Sequence, residues 1–332
     1  NAVLNTGSIG GGYGGTSTGS ATVTISGGTL LGQVIMQGKD SNGNPSSFTM
    51  TGGTIDNADR AGYNFLQENG GAVWINSGEA KMSGGTIKNA NAVNGGAIYV
   101  NGGSFVMSGE GTIQDCSATE SGGAVYVSGG KVTMSGGTIK DVSAKEGGAV
   151  YVNAEFTSED SFTMSGGIIQ NAEATSGNGG AVAVANGKAS MKGGSIKDTT
   201  ASVNGGAVSV SGGSFTMSGG SIGGTDSEKC TAANGGAVAV NGGTFTMTSG
   251  IIQNSTSTED GGAVYVSVTG IPLGDSFTMS DSASIMNCTA SGNGGAICVE
   301  GGSASMSGGS IKSSTAPSGN GGAVSVSNGN FA

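Results

Sequence analysis

Apolar residues recur two apart in short runs along most of this chain, and pairs of glycines separate the runs. The stretch 204–222 shows the pattern most clearly: Asn-Gly-Gly-Ala-Val-Ser-Val-Ser-Gly-Gly-Ser-Phe-Thr-Met-Ser-Gly-Gly-Ser-Ile. A spacing of two is the period of a strand with one buried face. Residues 207–210, 215–217 and 221–222 therefore read as three short strands. The Gly pairs read as corners, because a tight corner needs positive φ and glycine adopts it without steric cost. Three strands and three corners make one turn of a coil that cannot bury its own apolar side. Stacking coil on coil buries it, which is the logic of a β-solenoid.

The repeat can be followed by its Gly-Gly-Ala marks, whose first Gly falls at 70, 95, 122, 147, 179, 205, 235, 261, 294 and 321. The intervals run from 25 to 33 residues. A constant scaffold with surface loops of variable length gives this spread. An Asn precedes seven of the copies, at 69, 94, 178, 204, 234, 293 and 320. The expected organisation is one continuous solenoid over 1–332, with degenerate coils and a long charged loop in 1–69 and regular repeats in 70–332. In the degenerate part, Ala2-Val3-Leu4 aligns with Phe-Thr-Met, and Gly7-Ser8-Ile9 with Gly-Ser-Ile. Val23-Thr24-Ile25 and Gly28-Thr29-Leu30 repeat that pattern, and Val34-Ile35-Met36 stands where Val-Tyr-Val stands later. The loop includes Asp56, Asp59, Arg60 and Glu68, and longer loops are expected near 155–160, 225–229 and 268–276.

Three inward columns emerge: pairs such as Val208/Val210 on the first strand, Phe215/Met217 on the second, and Ile222 on the third. Each coil then buries about five apolar side chains at roughly 1.5–3 kcal/mol each, set against the large backbone entropy of so much Gly. One coil alone would not fold. Two positions after the third-strand Ile stands a short polar residue: Asn57, Asn89, Asp115, Asp141, Asn171, Asp198, Asn254 and Asn287. Stacked about 4.8 Å apart, these are expected to form a ladder at a turn.

Repeated Gly-Gly-Ala-(Val/Ile), followed by Phe-x-Met-x-Gly-Gly-x-Ile-x-Asn, resembles the right-handed parallel β-helix of bacterial surface proteins. It is similar to the repeats of polymorphic outer membrane proteins, whose marks are Gly-Gly-Ala-(Ile/Leu/Val) and Phe-x-x-Asn. Ten copies match the first mark, as in Gly95-Gly96-Ala97-Ile98, whereas Ile87-Lys88-Asn89 stands for the second. The likeness covers about 70–325. It implies an all-β, right-handed parallel β-helix of about 12 coils with three short strands each, roughly 55–60 Å long. It also implies an exported, non-catalytic stalk, adhesin or filament segment on a cell surface.

Composition narrows the partners. The chain has 332 residues, 70 Gly, 3 Pro, no His and a formal net charge of −10. Collagen needs Gly at every third residue and much Pro, and a nucleic-acid surface needs basic patches; neither is present. No apolar run reaches the roughly 18 residues of a membrane span, and no signal peptide opens the chain. Cys116, Cys230 and Cys288 share a column in non-adjacent coils, and Cys298 lies on a first strand, so no disulfide framework, cofactor or metal is expected. That is unusual for an exported protein, and points to a reducing habitat.

Candidate chemistry is confined to the outside. Trp74, Tyr99, Tyr126 and Tyr151 occupy the outward position of the first strand in four successive coils, with Tyr265 apart from them. They read either as a platform for host or environmental glycans or another partner, or as a stabilising aromatic ladder. The outward column of the second strand runs Thr24, Thr49, Lys81, Val106, Thr133, Thr163, Ser190, Thr216, Thr246, Thr278, Ser305. A hydroxyl array of this kind suits ice or glycan binding, or plain strand propensity, and Lys81, Lys131, Lys188 and Lys192 interrupt it. Pectin-degrading enzymes share the fold class, and Asp115 with Asp141 is the one pair of acids expected to be adjacent in the ladder. The sequons at Asn254 and Asn287 fall in the same ladder. Ala2 and Phe331 are both read at the Phe phase of the second strand, so twelve whole coils would separate them. Open coil ends then suggest head-to-tail stacking with other copies, or with flanking solenoid segments.

Overall fold

The computed structural model describes residues 3–10, 22–36, 43–57, 67–154, 159–268 and 276–332. Ala2, Asp59 and Arg60, and the loops at 58–66, 155–158 and 269–275, lie outside the described residues. The rest is all-β: a parallel β-solenoid of about ten turns, close to the twelve expected, with thirty-two described strands in one hydrogen-bonded sheet. No helix among the described residues is long and apolar enough to cross a membrane.

The first-strand column is unbroken. Parallel pairing runs Val34, Val73, Ile98, Val125, Val150, Val182, Val208, Val238, Val264, Ile297 and Val324, each opposite the next. All of these except Val324 are fully or almost fully buried. The second-strand column keeps the same discipline, Phe48 over Ala80 over Phe105 over Val132 over Phe162. Phe215, Phe245 and Phe277 then stack inside the core, with ring centroids 5.3 and 6.0 Å apart. Identical side chains fall on top of one another because loops of any length leave the register of the strands unchanged.

Methionine has a specific place in this packing. At the corner after the second strand, a Cβ on Gly220 would lie 2.7 Å from Met191 Cε, and one on Gly250 would lie 2.7 Å from Met217 Cε. Each Met thus tucks its methyl under the positive-φ glycine of the following coil. A long, unbranched side chain can fill that irregular gap.

The Gly-Gly-Ala corner splits its work between two glycines. Gly205 has φ 66°, the left-handed region. Gly206 needs no such conformation, but a Cβ there would lie 2.5 Å from both Thr231 N and Thr231 O and would collide with Gly236 O. The backbones meet there because Gly206 N–H donates to Gly235 O at 3.1 Å and Ala207 N–H to Ala237 O at 2.9 Å.

Three expectations need correction. First, most coils have a fourth short run beyond the three strands expected: Asn91–Asn94, Cys230–Ala232, Thr256–Ser257 and Thr289–Ala290 are separate strands. Its inward residues are small, such as Cys116/Ala118, Val142/Ala144 and Ala172/Ala174. Small residues blur the apolar pattern, and the run reads as loop. Second, Leu4 pairs with Leu30 and Ile9 with Val34, so residues 3–9 occupy the third and first strands rather than the second and third. The argument for equal phase at the two ends, which set Val3 and Leu4 on the second strand, does not survive that register. Third, Asn57 does not join the turn ladder, as described below.

The coil of residues 22–36 lacks the fourth side, passing from Leu30 to Val34 in one strand. The buried Gln33 fills the gap: its Nε2 donates to Asn69 O at 3.1 Å and to Gly70 O. In later coils a backbone N–H does this, as Gly70 N–H does to Asn94 O.

Two outcomes check this architecture. Val208→Asp places an unpaired charge at a fully buried site and is expected to cost at least about 3 kcal/mol. Thr216→Lys, on the exposed face, should stay within about 0.5 kcal/mol; equal losses in thermal melts would mean the assignment of faces is wrong. Likewise Gly206→Ala should lower the melting temperature, while Gly27→Ala, whose Cβ meets nothing within 4 Å, should leave it unchanged.

Candidate functional surfaces

The outward position of the first strand changes character along the rod. Trp74, Tyr99, Tyr126 and Tyr151 are half-buried there, in register in adjacent coils. Tyr99 stacks on Tyr126 and Tyr126 on Tyr151, both at 5.1 Å with interplanar angles of 13° and 24°. Burial is the main cause that raises the Tyr126 and Tyr151 phenols above their ordinary range. Asn153 Nδ2 donates to Tyr126 Oη at 3.4 Å, so the stack is tied into the corner beside it. Beyond it, the same column holds Ala183, Ser209 and Ala239, all buried, then Tyr265 and Cys298.

Tyr265 and Cys298 belong to a tight group. Tyr265 Oη donates to Glu300 Oε2 at 2.6 Å. Asp260, Cys298 and Glu300 bring one ligand atom each to within 4.8 Å of one another. Asp260 stands just before one Gly-Gly-Ala corner, and Cys298 and Glu300 lie on the first strand of the next coil. Burial, with Asp260 and Glu300 adding, pushes the Cys298 thiol up to about 12. Sequence reading passed over this group: its members lie 38 and 40 residues apart and join only when Tyr265 stacks over Cys298.

The turn residues predicted after the third strand adopt one conformation. Asn89, Asp115, Asp141, Asn171, Asp198, Asn254 and Asn287 have φ between 47° and 56°. Asn and Asp tolerate this region because their short side chains bond locally. Asn57 has no positive φ; its buried amide donates to Gly71 O at 2.7 Å instead. Side-chain bonds along the column are sparse. Asn171 Nδ2 donates to Asp141 Oδ1 at 2.5 Å, and Asn89 Nδ2 reaches Asp56 Oδ1 at 2.8 Å. Asp115 accepts from its neighbour Gln114 at 2.8 Å, and Lys140 lies 3.5 Å from Asp141. The two acids thus engage different partners rather than each other. Asn254 Nδ2 is held by Gly224 O at 2.5 Å.

A second polar column, the residue before Gly-Gly-Ala, links coils more directly. Asp260 N–H donates to Asn234 Oδ1 at 3.1 Å, Asn293 N–H to Asp260 Oδ1, and Asn320 N–H to Asn293 Oδ1 at 2.9 Å. In the coil where Glu146 takes this place, Asn178 N–H donates to its Oε2 at 3.1 Å. The signal was present in the seven Asn-Gly-Gly-Ala copies. Its meaning, a side-chain oxygen capping a backbone amide of the next coil, depends on the stacking.

The hydroxyl column of the second strand is interrupted. Thr163 and Ser190 are only 9% and 3% exposed. Ser190 Oγ donates to Asp160 Oδ2 at 2.6 Å, so the segment entering this strand covers the middle of the array. Thr24 and Thr216 remain exposed on either side. The four cysteines are buried free thiols. Cys116 and Cys288 donate to Gln114 O and Met286 O at 3.0 and 3.2 Å, and Cys230 reaches Ile196 O at 3.9 Å. Burial pushes Cys116 and Cys288 up to about 12 and Cys230 up to about 11.

No family model matches the chain, and no curated protein or solved structure matches it. The class that fold and surface define is a parallel β-solenoid repeat protein.

A rise from 9 to about 11 for Cys230 and about 12 for Cys116 and Cys288 lowers the thiolate fraction near neutral pH about a hundredfold and about a thousandfold, and the thiolate is the reactive form. Iodoacetamide at pH 8 should therefore leave Cys116, Cys230 and Cys288 unmodified in the native chain and label all three in denaturant. Labelling of the native core would show that these coils open.

Proposed function

We propose that the chain is a non-catalytic structural and adhesive rod: an extracellular stalk or filament segment of a cell-surface protein that presents a binding strip at a distance. The unbroken eleven-residue column from Val34 to Val324 carries this reading. Ten steps of about 4.8 Å give a rigid spacer roughly 50 Å long. Surface location and adhesion rest on the resemblance of the Gly-Gly-Ala repeats to those of polymorphic outer membrane proteins.

The binding strip in this reading is the stacked Tyr99, Tyr126 and Tyr151 with Trp74 beside them. The stacked rings cover one another's faces and present their edges and phenol hydroxyls at one-coil spacing, a row of donors and acceptors that suits sugar hydroxyls, so glycans are the partner class. The ice-binding alternative is the less favoured one, since Thr163 and Ser190 are covered in the middle of the hydroxyl array.

The double substitution Tyr99→Ser, Tyr126→Ser tests the strip. It should abolish binding on a glycan array and adhesion to cells while the melting temperature stays within about 3 °C of the parent. A large loss of stability with no binding phenotype would make the stack a purely structural ladder. Negative-stain micrographs should show straight rods of at least 50 Å; compact particles would sink the spacer reading.

A further inference from the structure

The outer face of the first strand carries one group that neither the rod nor the aromatic strip uses. We propose that Asp260, Cys298 and Glu300 form a binding site for a divalent cation of the zinc class that staples two successive coils together.

The geometry supplies three ligand atoms of the right kinds. A sulfur and two carboxylate oxygens converge within 4.8 Å of one another; Zn–S and Zn–O distances of about 2.3 and 2.1 Å set such atoms roughly 3.5 Å apart in a tetrahedral site, so a small side-chain shift brings the three around one ion. Both carboxylates accept a hydrogen bond. Tyr265 Oη donates to Glu300 Oε2, and Asn293 N–H donates to Asp260 Oδ1. Second-shell donors of this sort orient ligands in metal sites. Tyr265 and Asn293 are thus positioning residues.

A second observation separates this group from a chance cluster of surface acids. Cys298 is only 2% exposed, and its Sγ makes no hydrogen bond among the described residues. The other three thiols each have a hydrogen-bond partner. No lysine among the described residues forms an ion pair with Asp260 or Glu300. A buried sulfur without a partner therefore faces two carboxylates without a counter-ion. A thiolate favours a borderline-soft ion over Ca²⁺ or Mg²⁺. On binding, the sulfur coordinates as thiolate and its proton passes to solvent, with no change of oxidation state. The ion bridges Asp260 in one coil and Cys298 and Glu300 in the next.

The test uses the full 332-residue chain, stripped with chelator and kept reduced. Co²⁺ serves as the probe, because thiolate ligation gives a charge-transfer band in the near ultraviolet. One Co²⁺ per chain is expected, with the band displaced by Zn²⁺ and not by Ca²⁺, and Zn²⁺ should raise the melting temperature. Cys298→Ser should abolish the band; Ser209 and Ser325 occupy the same column in other coils, so the fold accommodates serine there. Asp260→Asn and Glu300→Gln should each weaken binding at least tenfold, and Asp141→Asn should bind as the parent does. Absence of the band in the parent, or its survival in Cys298→Ser, would overturn the site. If circular dichroism showed Cys298→Ser misfolded, Glu300→Gln decides: binding undiminished in it would overturn the proposal equally.

Discussion

Everything in this molecule depends on how closely one coil's backbone can approach the next at the Gly-Gly-Ala corner. Gly205 turns the chain with φ 66°, and Gly206 lets the neighbouring coil's carbonyl come into the space a Cβ would fill. With the corner closed, Ala207 and Val208 both donate to Ala237 O, at 2.9 Å each, and the first strand enters in register. The cost of so much glycine is conformational entropy in the unfolded chain. The return is cooperative: each coil supplies the template on which the next one's amides and apolar columns are satisfied.

That constraint explains the choice of side chains elsewhere. Met217 reaches under Gly250 because the second corner leaves a gap that a flexible thioether fills. Asn and Asp hold the third corner, where their positive φ replaces glycine. The oxygens of Asn234, Asp260 and Asn293 cap amides of following coils at the fourth corner. Where a side of the coil is missing, Gln33 donates in place of the absent backbone. In each case a local rule of turn chemistry is satisfied by a partner one coil away.

Because the core is the same in every coil, function has only the outer columns to work with. One strand presents aromatic rings in the coils of Tyr99, Tyr126 and Tyr151, then small buried residues, then the Tyr265–Cys298–Glu300 group. A solenoid of this kind changes chemistry along its length by changing one outward residue per coil, without disturbing the inward valines on either side.

The period of two and the glycine pairs determined the parallel solenoid, its inward columns and its aromatic strip, because these follow from near neighbours along the chain. The turn at Asn89 through Asn287 was legible for the same reason, since short polar side chains favour turns themselves, whereas its left-handed φ came only with the structure. Three things were not legible. The fourth strand was hidden because Cys116, Ala118 and Ala172 are too small to mark an apolar face. The placing of Leu4 over Leu30, rather than one strand earlier, depended on pairing with a coil whose missing side no local motif announces. The meeting of Asp260, Cys298 and Glu300 was decided by stacking alone: residues a whole coil apart become neighbours only when loop length is absorbed at the corners and the strands fall into register.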